Sequence, residues 1–192
     1  MTTRLITPPV SEPISLVEAK LHLRVDHNAE DTLITALITS AREQCEHILG
    51  RSLMPQTWEA ILDDFPLDND IELLNPNIIS ITSIKYIDAL TANETTLASN
   101  QYALDKDSEP GWVMPAYGVT WPETLAIANA VRIRYVAGYA DAASVPASIK
   151  AWILLAIGVA YKQREALAEN TLAKLPHDFY EGLLDRYRIW RI

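Results

Sequence analysis

The hydrophobic period of the sequence changes twice, and this limits the chain to folds that combine helices with an antiparallel sheet. Residues 55–137 consist of short β-like pieces, and six of the chain's 11 prolines separate them. Val131, Ile133 and Tyr135 alternate there with two arginines, which is the period of a half-buried strand. Helical periods flank this stretch on both sides. The sequence therefore predicts an α+β fold, a small helical bundle formed by N- and C-terminal helices with an inserted antiparallel β-module.

Two helices are predicted before the β-module. The first is expected to begin at Ser15, because Ser15 and Glu18 have the spacing of a capping box. The second has Asn28 as its expected N-cap and Gly50 as its C-terminal stop. Cys45 falls within the apolar stripe of the second helix, and no neighbouring base is evident that would lower its pKa. We therefore expect the chain's one cysteine to be a buried core residue, which excludes a disulfide within the chain.

Two further helices are predicted after the β-module. Pro146 suits the first turn of the third helix, which is expected to run to about Ala168, and Pro176 can open the fourth. Because neither the first pair of helices nor the second encloses a core alone, the two ends of the chain are expected to pack together. The predicted domains are a helical domain, residues 1–54 with 138–192, and an inserted antiparallel β subdomain, residues 55–137.

The longest apolar run of the chain, from Ala151 to Tyr161, lies in the third predicted helix. It is about half as long as the roughly 20 residues that span a bilayer, and the N-terminus has no signal-peptide pattern, so no membrane association is expected. Such a helix is buried on most sides, either in the core or between subunits. The candidates for packing between subunits are Trp152, Ile153 and Ile157.

Two features distinguish the β-module, its charge and a break in its alternation. The whole chain has a net charge of -9, and residues 55–137 hold 12 acidic and four basic residues. A chain of this charge is unsuited to holding nucleic acid by bulk electrostatics. The alternation slips by one residue near Thr82 and Ser83, which predicts a β-bulge or a strand start there.

The sequence contains no motif that predicts catalysis. Neither GxxxxGK[ST] nor GxGxxG nor GxSxG occurs. The acidic run from Asp63 to Glu72 lacks the glycine and the terminal glutamate of a calcium loop, so a solvated loop is expected rather than a metal site. A carboxylate-dependent hydrolase stays an alternative, but Asp63 and Asp64 are neighbours that would point to opposite faces of a strand. We expect no enzyme activity, no cofactor and no metal.

The end of the chain combines aromatic residues with arginines. Two interpretations stay open: a helix C-terminus whose cations complement the helix dipole, or a segment that docks onto another protein. The candidate partner-binding residues are Leu184, Arg186, Tyr187, Arg188, Trp190 and Arg191.

Six segments carry a family resemblance over nearly the whole chain. They are PPVSEPISLVEAKLHLRVD at 8–26, GRSLMPQTWEAILDDFP at 50–66, ISITSIKYID at 79–88, PAYGVTWP at 115–122, VRIRYVAGYADAASVPASIKAWILLAIG at 131–158 and LPHDFYEGLLDRYRIW at 175–190. In this order they resemble the head-tail connector (head-completion adaptor) proteins of long-tailed bacteriophages, in the longer form with a β-insertion.

The resemblance implies a structural virion protein, a head-tail connector subunit that forms a ring beneath the portal and a platform for a tail or stopper protein. The implied partners are the portal protein, a tail or stopper protein and further copies of the chain in a cyclic homo-oligomer, whether or not the isolated chain is a monomer. DNA is expected only as content passing through the lumen. The implied location is the virion, assembled in the cytoplasm of a bacterial host. The alternative is a tail-completion protein or another virion assembly protein.

Overall fold

The fold is given by a computed structural model of the chain, which describes residues 1–67, 70–163, 180 and 182–189. Within these residues it contains three α-helices and eight β-strands. The helices are α1 (Leu16–Leu23), α2 (Asp31–Leu49) and α3 (Ala147–Lys162). The strands are β1 (Thr2–Thr7), β2 (Gln56–Leu62), β3 (Ile71–Leu73), β4 (Ile78–Ile87), β5 (Glu94–Thr96), β6 (Tyr102–Asp105), β7 (Gly111–Pro115) and β8 (Val131–Ala137).

The predicted helical bundle with an inserted β-module is wrong as a description of this α+β fold. Strand β1 lies in the N-terminal segment that the prediction gives to the bundle, and it forms the edge of a five-stranded antiparallel sheet by pairing with β2. A second antiparallel sheet has three strands. The two sheets, rather than a bundle, therefore make up much of the fold, and the sheet begins at the first residues of the chain.

The chain forms two compact units. The first, here called the β unit, comprises Met1–Val10 and Met54–Ala140, and the second, the helical unit, comprises Ser11–Leu53 and Asp141–Ile192. The predicted domains, residues 1–54 with 138–192 and residues 55–137, stay a prediction.

The large sheet of the β unit has the strand order β1-β2-β8-β4-β5. Strand β8 lies at its centre and pairs with β2 on one side and β4 on the other. The predicted alternation of β8 is confirmed, since Ile133 and Tyr135 are fully buried while the two arginines between its apolar residues are exposed. The register of β4 against β8 shifts between Ile81 and Ser83, which confirms the predicted bulge.

The small sheet has the order β3-β7-β6 and packs against one face of the large sheet. Ile71, Leu73 and Val113 from the small sheet belong to the same buried cluster as Ile84 and Ile133 from the large one. The β unit is therefore a two-layer structure with its core between the sheets. Each sheet is left with one outer face that points away from this core.

The helix ends follow local signals, with one exception. Ser15 caps α1 in a complete capping box with Glu18, as predicted. Gly50 ends α2 in the left-handed conformation, also as predicted. The predicted cap Asn28 is wrong, because α2 begins at Asp31 and the Asn28 amide oxygen instead accepts a hydrogen bond from Lys20 Nζ.

Helix α3 follows Pro146 and ends at Lys162. The predicted continuation to Ala168 and the predicted fourth helix opening at Pro176 lie outside the described residues.

A buried arginine stabilises the helical unit by forming ion pairs with two of its segments. The Arg42 side chain is 4% exposed, and it donates from Nε to Glu12 at 2.7 Å and from Nη1 to Glu46 at 2.7 Å. Glu46 also accepts a hydrogen bond from the amide of Leu53. Burial alone would lower the pKa of Arg42, but the negative charges of Glu46 and Glu12 outweigh burial and raise it. Arg42 thus holds the segment before α1 and the segment after α2 on the same helix.

Replacing Arg42 by methionine should lower the free energy of unfolding by about 3 kcal/mol, because it leaves Glu12 and Glu46 partly buried without their cation. Chemical denaturation monitored by circular dichroism measures this. Glu43→Gln is the matched control, since Glu43 is 66% exposed and lies 3.4 Å from Arg42, and it should change stability by less than about 0.5 kcal/mol. Equal effects of the two changes would contradict the role given to Arg42.

Candidate interaction surfaces

The described part of the C-terminal segment packs onto the end of α2. The amide of Ile189 donates to the carbonyl of Leu49 at 2.9 Å, and the Leu184 side chain is 1% exposed. Arg186 lies over the ring of Tyr187, with 6.0 Å between the guanidinium carbon and the ring centroid. Leu184 is therefore committed to the chain's own core, while the Arg186 side chain is exposed.

Of the other candidate docking residues, only some are among the residues that the structure describes. The amide of Arg188 closes the short turn by donating to Asp185, and Trp190 and Arg191 lie outside the described residues. The predicted docking role of the six candidates stays a prediction.

Helix α3 directs its largest side chains into the core of the helical unit. Trp152, Ile153 and Ile157 are each at most 1% exposed, and Trp152 stacks on Tyr180 with ring centroids 5.0 Å apart. Their predicted role in packing between subunits stays a prediction. Among the described helices, none has the length and apolar character needed to span a bilayer.

The most exposed large apolar residues among the described part of the helical unit lie on α1. Val17 and Leu21 are 75% and 79% exposed, and their spacing of four residues places them on one side of the helix. The opposite side of α1 is anchored by the fully buried Ala19. Paired apolar side chains that face solvent are typical of a surface that contacts another protein.

Cys45 is a core residue, as predicted. Its side chain is fully buried, and burial, with a smaller contribution from the negative charge of Glu46, raises the pKa of its thiol to about 12. The thiol is therefore protonated at neutral pH and unsuited to nucleophilic chemistry.

Carboxylates of the acidic run after β2 accept hydrogen bonds from neighbouring loops. Asp63 accepts a hydrogen bond from the amide of Asn129 at 2.7 Å, and Asp64 accepts from the hydroxyl of Thr124 at 2.6 Å. No group of three or more His, Cys, Asp and Glu side chains that could hold a metal ion is found among the residues that the structure describes.

A row of charged residues crosses the large sheet. Arg4 of β1, Glu59 of β2 and Arg134 of β8 are directly opposite one another on neighbouring strands, so their side chains share one face. Glu59 accepts from Arg4 Nη2 at 2.5 Å and from Arg134 Nε at 2.7 Å. The Glu59 side chain is 1% exposed, whereas those of Arg4 and Arg134 are about half exposed. The carboxylate is thus buried beneath two cations that still present donors to solvent.

The pKa of Glu59 is lowered despite its burial. Burial alone would raise this pKa, but the hydrogen bonds from Arg134 and Arg4 and their positive charges outweigh it. The sequence analysis did not single out Glu59, because its partners are 55 and 75 residues away.

The cations continue along the same face of the sheet. Arg132 pairs in register with Lys85 of β4, and Lys85 Nζ contacts Glu94 of β5 at 2.6 Å. Arg4, Lys85, Arg132 and Arg134, together with Glu59 and Glu94, are called the cationic face below. It lies opposite the side of the sheet on which Ile133 and Tyr135 enter the core.

The ion pairs of Glu59 predict a pH-dependent effect of Glu59→Gln. A lowered folded-state pKa contributes stability above the unfolded-state pKa, near the ordinary value of 4.5, and this contribution is lost as the pH falls through the folded-state pKa. Wild type should therefore exceed the variant in stability most at pH 7, and the difference should shrink at pH 3. Denaturant titrations at both pH values test this, and a difference that is the same at both would contradict the ion-pair account.

Three solved structures of gene transfer agent (GTA) particles contain chains with this fold. The neck of the empty GTA particle computed with C6 symmetry has a chain with a TM-score of 0.81 and 19% identity. The virion of the native GTA particle has one with a TM-score of 0.82 and 21% identity, and the neck of the native particle computed with C12 symmetry has one with 0.80 and 18%. Each match covers 100% of this chain and 97% of the other. At these identities the likeness shows the fold.

One family model matches part of the sequence. The comparison with curated proteins found no match. Residues 13–102, which include two of the six segments that carry the resemblance and most of a third, match the sequence family described as phage gp6-like head-tail connector protein. Nearly half of the chain is therefore similar to the phage gp6-like head-tail connector family.

Proposed function

We propose that the chain is the subunit of a ring in the neck of a phage-like particle, where it joins the portal protein to a tail or stopper protein. The observation that carries this proposal is the family match over residues 13–102. It is supported by the shared fold with neck chains of GTA particles, whose structures were computed with C6 and C12 symmetry. Cyclic symmetry of this kind repeats one head-to-tail contact around a ring.

The surfaces of the chain suit a protein that binds several others. The helical unit exposes Val17 and Leu21 on α1, and the β unit exposes the cationic face. A ring subunit needs separate surfaces for its neighbours and for the proteins above and below it. Because these surfaces differ in chemistry, one apolar and one charged, they suit different partners.

The proposed role is architectural and requires neither a catalytic residue nor a cofactor. Its relation to DNA is that of a lumen through which the genome passes. A net charge of -9 suits this, since a negative subunit adheres weakly to phosphates. Assembly in the cytoplasm of a bacterial host is part of the same proposal.

Electron microscopy of the purified chain mixed with its portal tests the proposal. We expect an added ring of density at the end of the portal in the mixture and not with the portal alone. Attachment to tail tubes and not to portals would replace the proposed role with tail completion. Attachment to neither would contradict a connector role between the two.

Docking by the C-terminal segment gives a second test. A variant that combines Arg186→Ala with deletion of residues 190–192 should retain its melting temperature, because Leu184 and the Ile189 contact remain. It should bind the portal or the tail-side partner at least about tenfold more weakly, because aromatic residues and arginines dominate protein interfaces. Lys162→Ala, which removes an exposed cation elsewhere in the helical unit, is the control. Equal affinity of the combined variant and the control would contradict docking by this segment.

A further inference from the structure

The cationic face concentrates the positive charge of an acidic unit. The β unit has five basic residues in its sequence, and four of them lie on this one face of the large sheet. The same unit has 12 acidic residues, of which this face holds Glu59 and Glu94. The face therefore carries four cations against two carboxylates, the reverse of the balance in the unit as a whole.

The cationic face has a cleft at one end. A cleft of about 230 Å³ is lined there by Lys85, Glu94, Arg132 and the loop that precedes β8. Ile127 in this loop is 47% exposed. Among the described residues, Arg132 forms no hydrogen bond or ion pair, although it lies in register with Lys85. The positive charge of Arg132 adds to that of Lys85 in lowering the pKa of Glu94 in the same cleft. The cleft thus offers a guanidinium whose donors make no hydrogen bond among the described residues, beside an apolar side chain, and this suits a carboxylate of a protein partner.

The outer face of the small sheet has the opposite charge. Glu72 of β3, Trp112 of β7 and Asp105 of β6 are in register, so they share the face that points away from the core. The Asp107 and Glu109 side chains are exposed in the turn between β6 and β7. The fifth basic residue of the unit, Lys106, is exposed in the same turn, so this side of the small sheet carries four carboxylates against one cation. Glu72, Asp105, Asp107 and Glu109, with Trp112 among them, are called the acidic face below.

Asp105 organises the turn that presents these acids. Its carboxylate accepts from the hydroxyl of Ser108 at 2.6 Å and from the amides of Ser108 and Asp107 at 3.1 and 3.0 Å. Because these bonds are made within the turn, they hold it in one conformation before any partner binds.

The two charged faces lie on opposite sides of the same two-layer unit. The small sheet covers the inner face of the large sheet, while the cationic face is the outer one. If the cationic faces of two copies met, or their acidic faces, like charges would repel each other. A contact between the cationic face of one copy and the acidic face of another is attractive, and it is head-to-tail because it uses a different surface of each copy. Head-to-tail contacts of this kind generate rings when their rotation closes.

We propose that the cationic face of one copy of the chain binds the acidic face of a second copy, with acidic side chains of the turn entering the cleft at Arg132. This inference rests on the ring of the proposed function and names the contact that builds it. A second copy fits the charge of the cationic face better than nucleic acid does, because the rest of the β unit repels phosphates. Trp112 and Ile127 contribute the apolar area that a protein interface needs at its centre.

Charge-reversal variants of the full chain test this contact by sedimentation velocity over a range of concentrations at low salt. Lys85→Glu with Arg132→Glu reverses the cationic face, and Glu72→Lys with Asp107→Lys reverses the acidic one. Each pair should weaken self-association at least about tenfold, and an equimolar mixture of the two variants should recover association between unlike chains. Lys162→Glu, a reversal in the helical unit, should associate like wild type, and raising salt to about 0.5 M should weaken wild type.

All four residues chosen are at least partly exposed and lie outside the buried Glu59 cluster, so an unchanged melting temperature verifies that each variant folds. Association of either variant alone with wild-type strength would overturn the proposal, as would absence of wild-type association at low salt. The proposal would also be overturned if wild type bound duplex DNA and the variant with Lys85→Glu and Arg132→Glu lost that binding while it kept self-association. The cationic face would then be assigned to nucleic acid. These outcomes are separate from portal binding, so a ring seen on the portal together with a failed charge reversal would place the subunit contact elsewhere.

Discussion

The double pairing of β8 is the constraint on which the β unit depends. Strand β8 joins β2, and through it the N-terminal strand β1, to β4 and β5. Its alternation sends Ile133 and Tyr135 into the core between the sheets, where the Tyr135 hydroxyl donates to the carbonyl of Leu74 at 2.8 Å. The same alternation sends Arg132 and Arg134 to the outer face. Residues of the core and residues of the cationic face therefore alternate along one strand. A change in the register of this strand would displace both sets together.

Each compact unit also buries a charged group among opposite charges. Glu59 lies beneath two arginines in the β unit, and Arg42 lies among carboxylates in the helical unit. These clusters resemble catalytic groups in their burial, but their shifted pKa values follow from ion pairs that join distant segments of the chain. Burial of charge in this chain therefore fixes chain segments in place.

Features set by neighbouring residues were predictable from the sequence, and features set by distant ones were not. The Ser15 capping box, the Gly50 stop, the β8 alternation and the bulge near Ser83 each depend on a few consecutive residues. Strand β1 was missed because nearly all of its residues are exposed, so its sequence shows no apolar alternation, and its partner strand begins about 50 residues later. The pairs of Arg42 with Glu12 and of Glu59 with Arg4 and Arg134 were missed because these partners are 30, 55 and 75 residues apart in the sequence. The cationic and acidic faces follow from strand register, which no local pattern of the sequence provides.

Zero-length carbodiimide cross-linking of the assembled protein tests the head-to-tail contact most directly, because it joins a lysine to a carboxylate only where the two touch. Mixing isotopically labelled and unlabelled copies separates links between chains from links within one chain. The bond of Lys85 to Glu94, 2.6 Å apart in one chain, serves as the internal reference. The account predicts additional links from Lys85 to Glu72, Asp107 or Glu109 that join labelled to unlabelled copies. Links between copies that involve only lysines of the helical unit, with Lys85 joined to Glu94 alone, would contradict it.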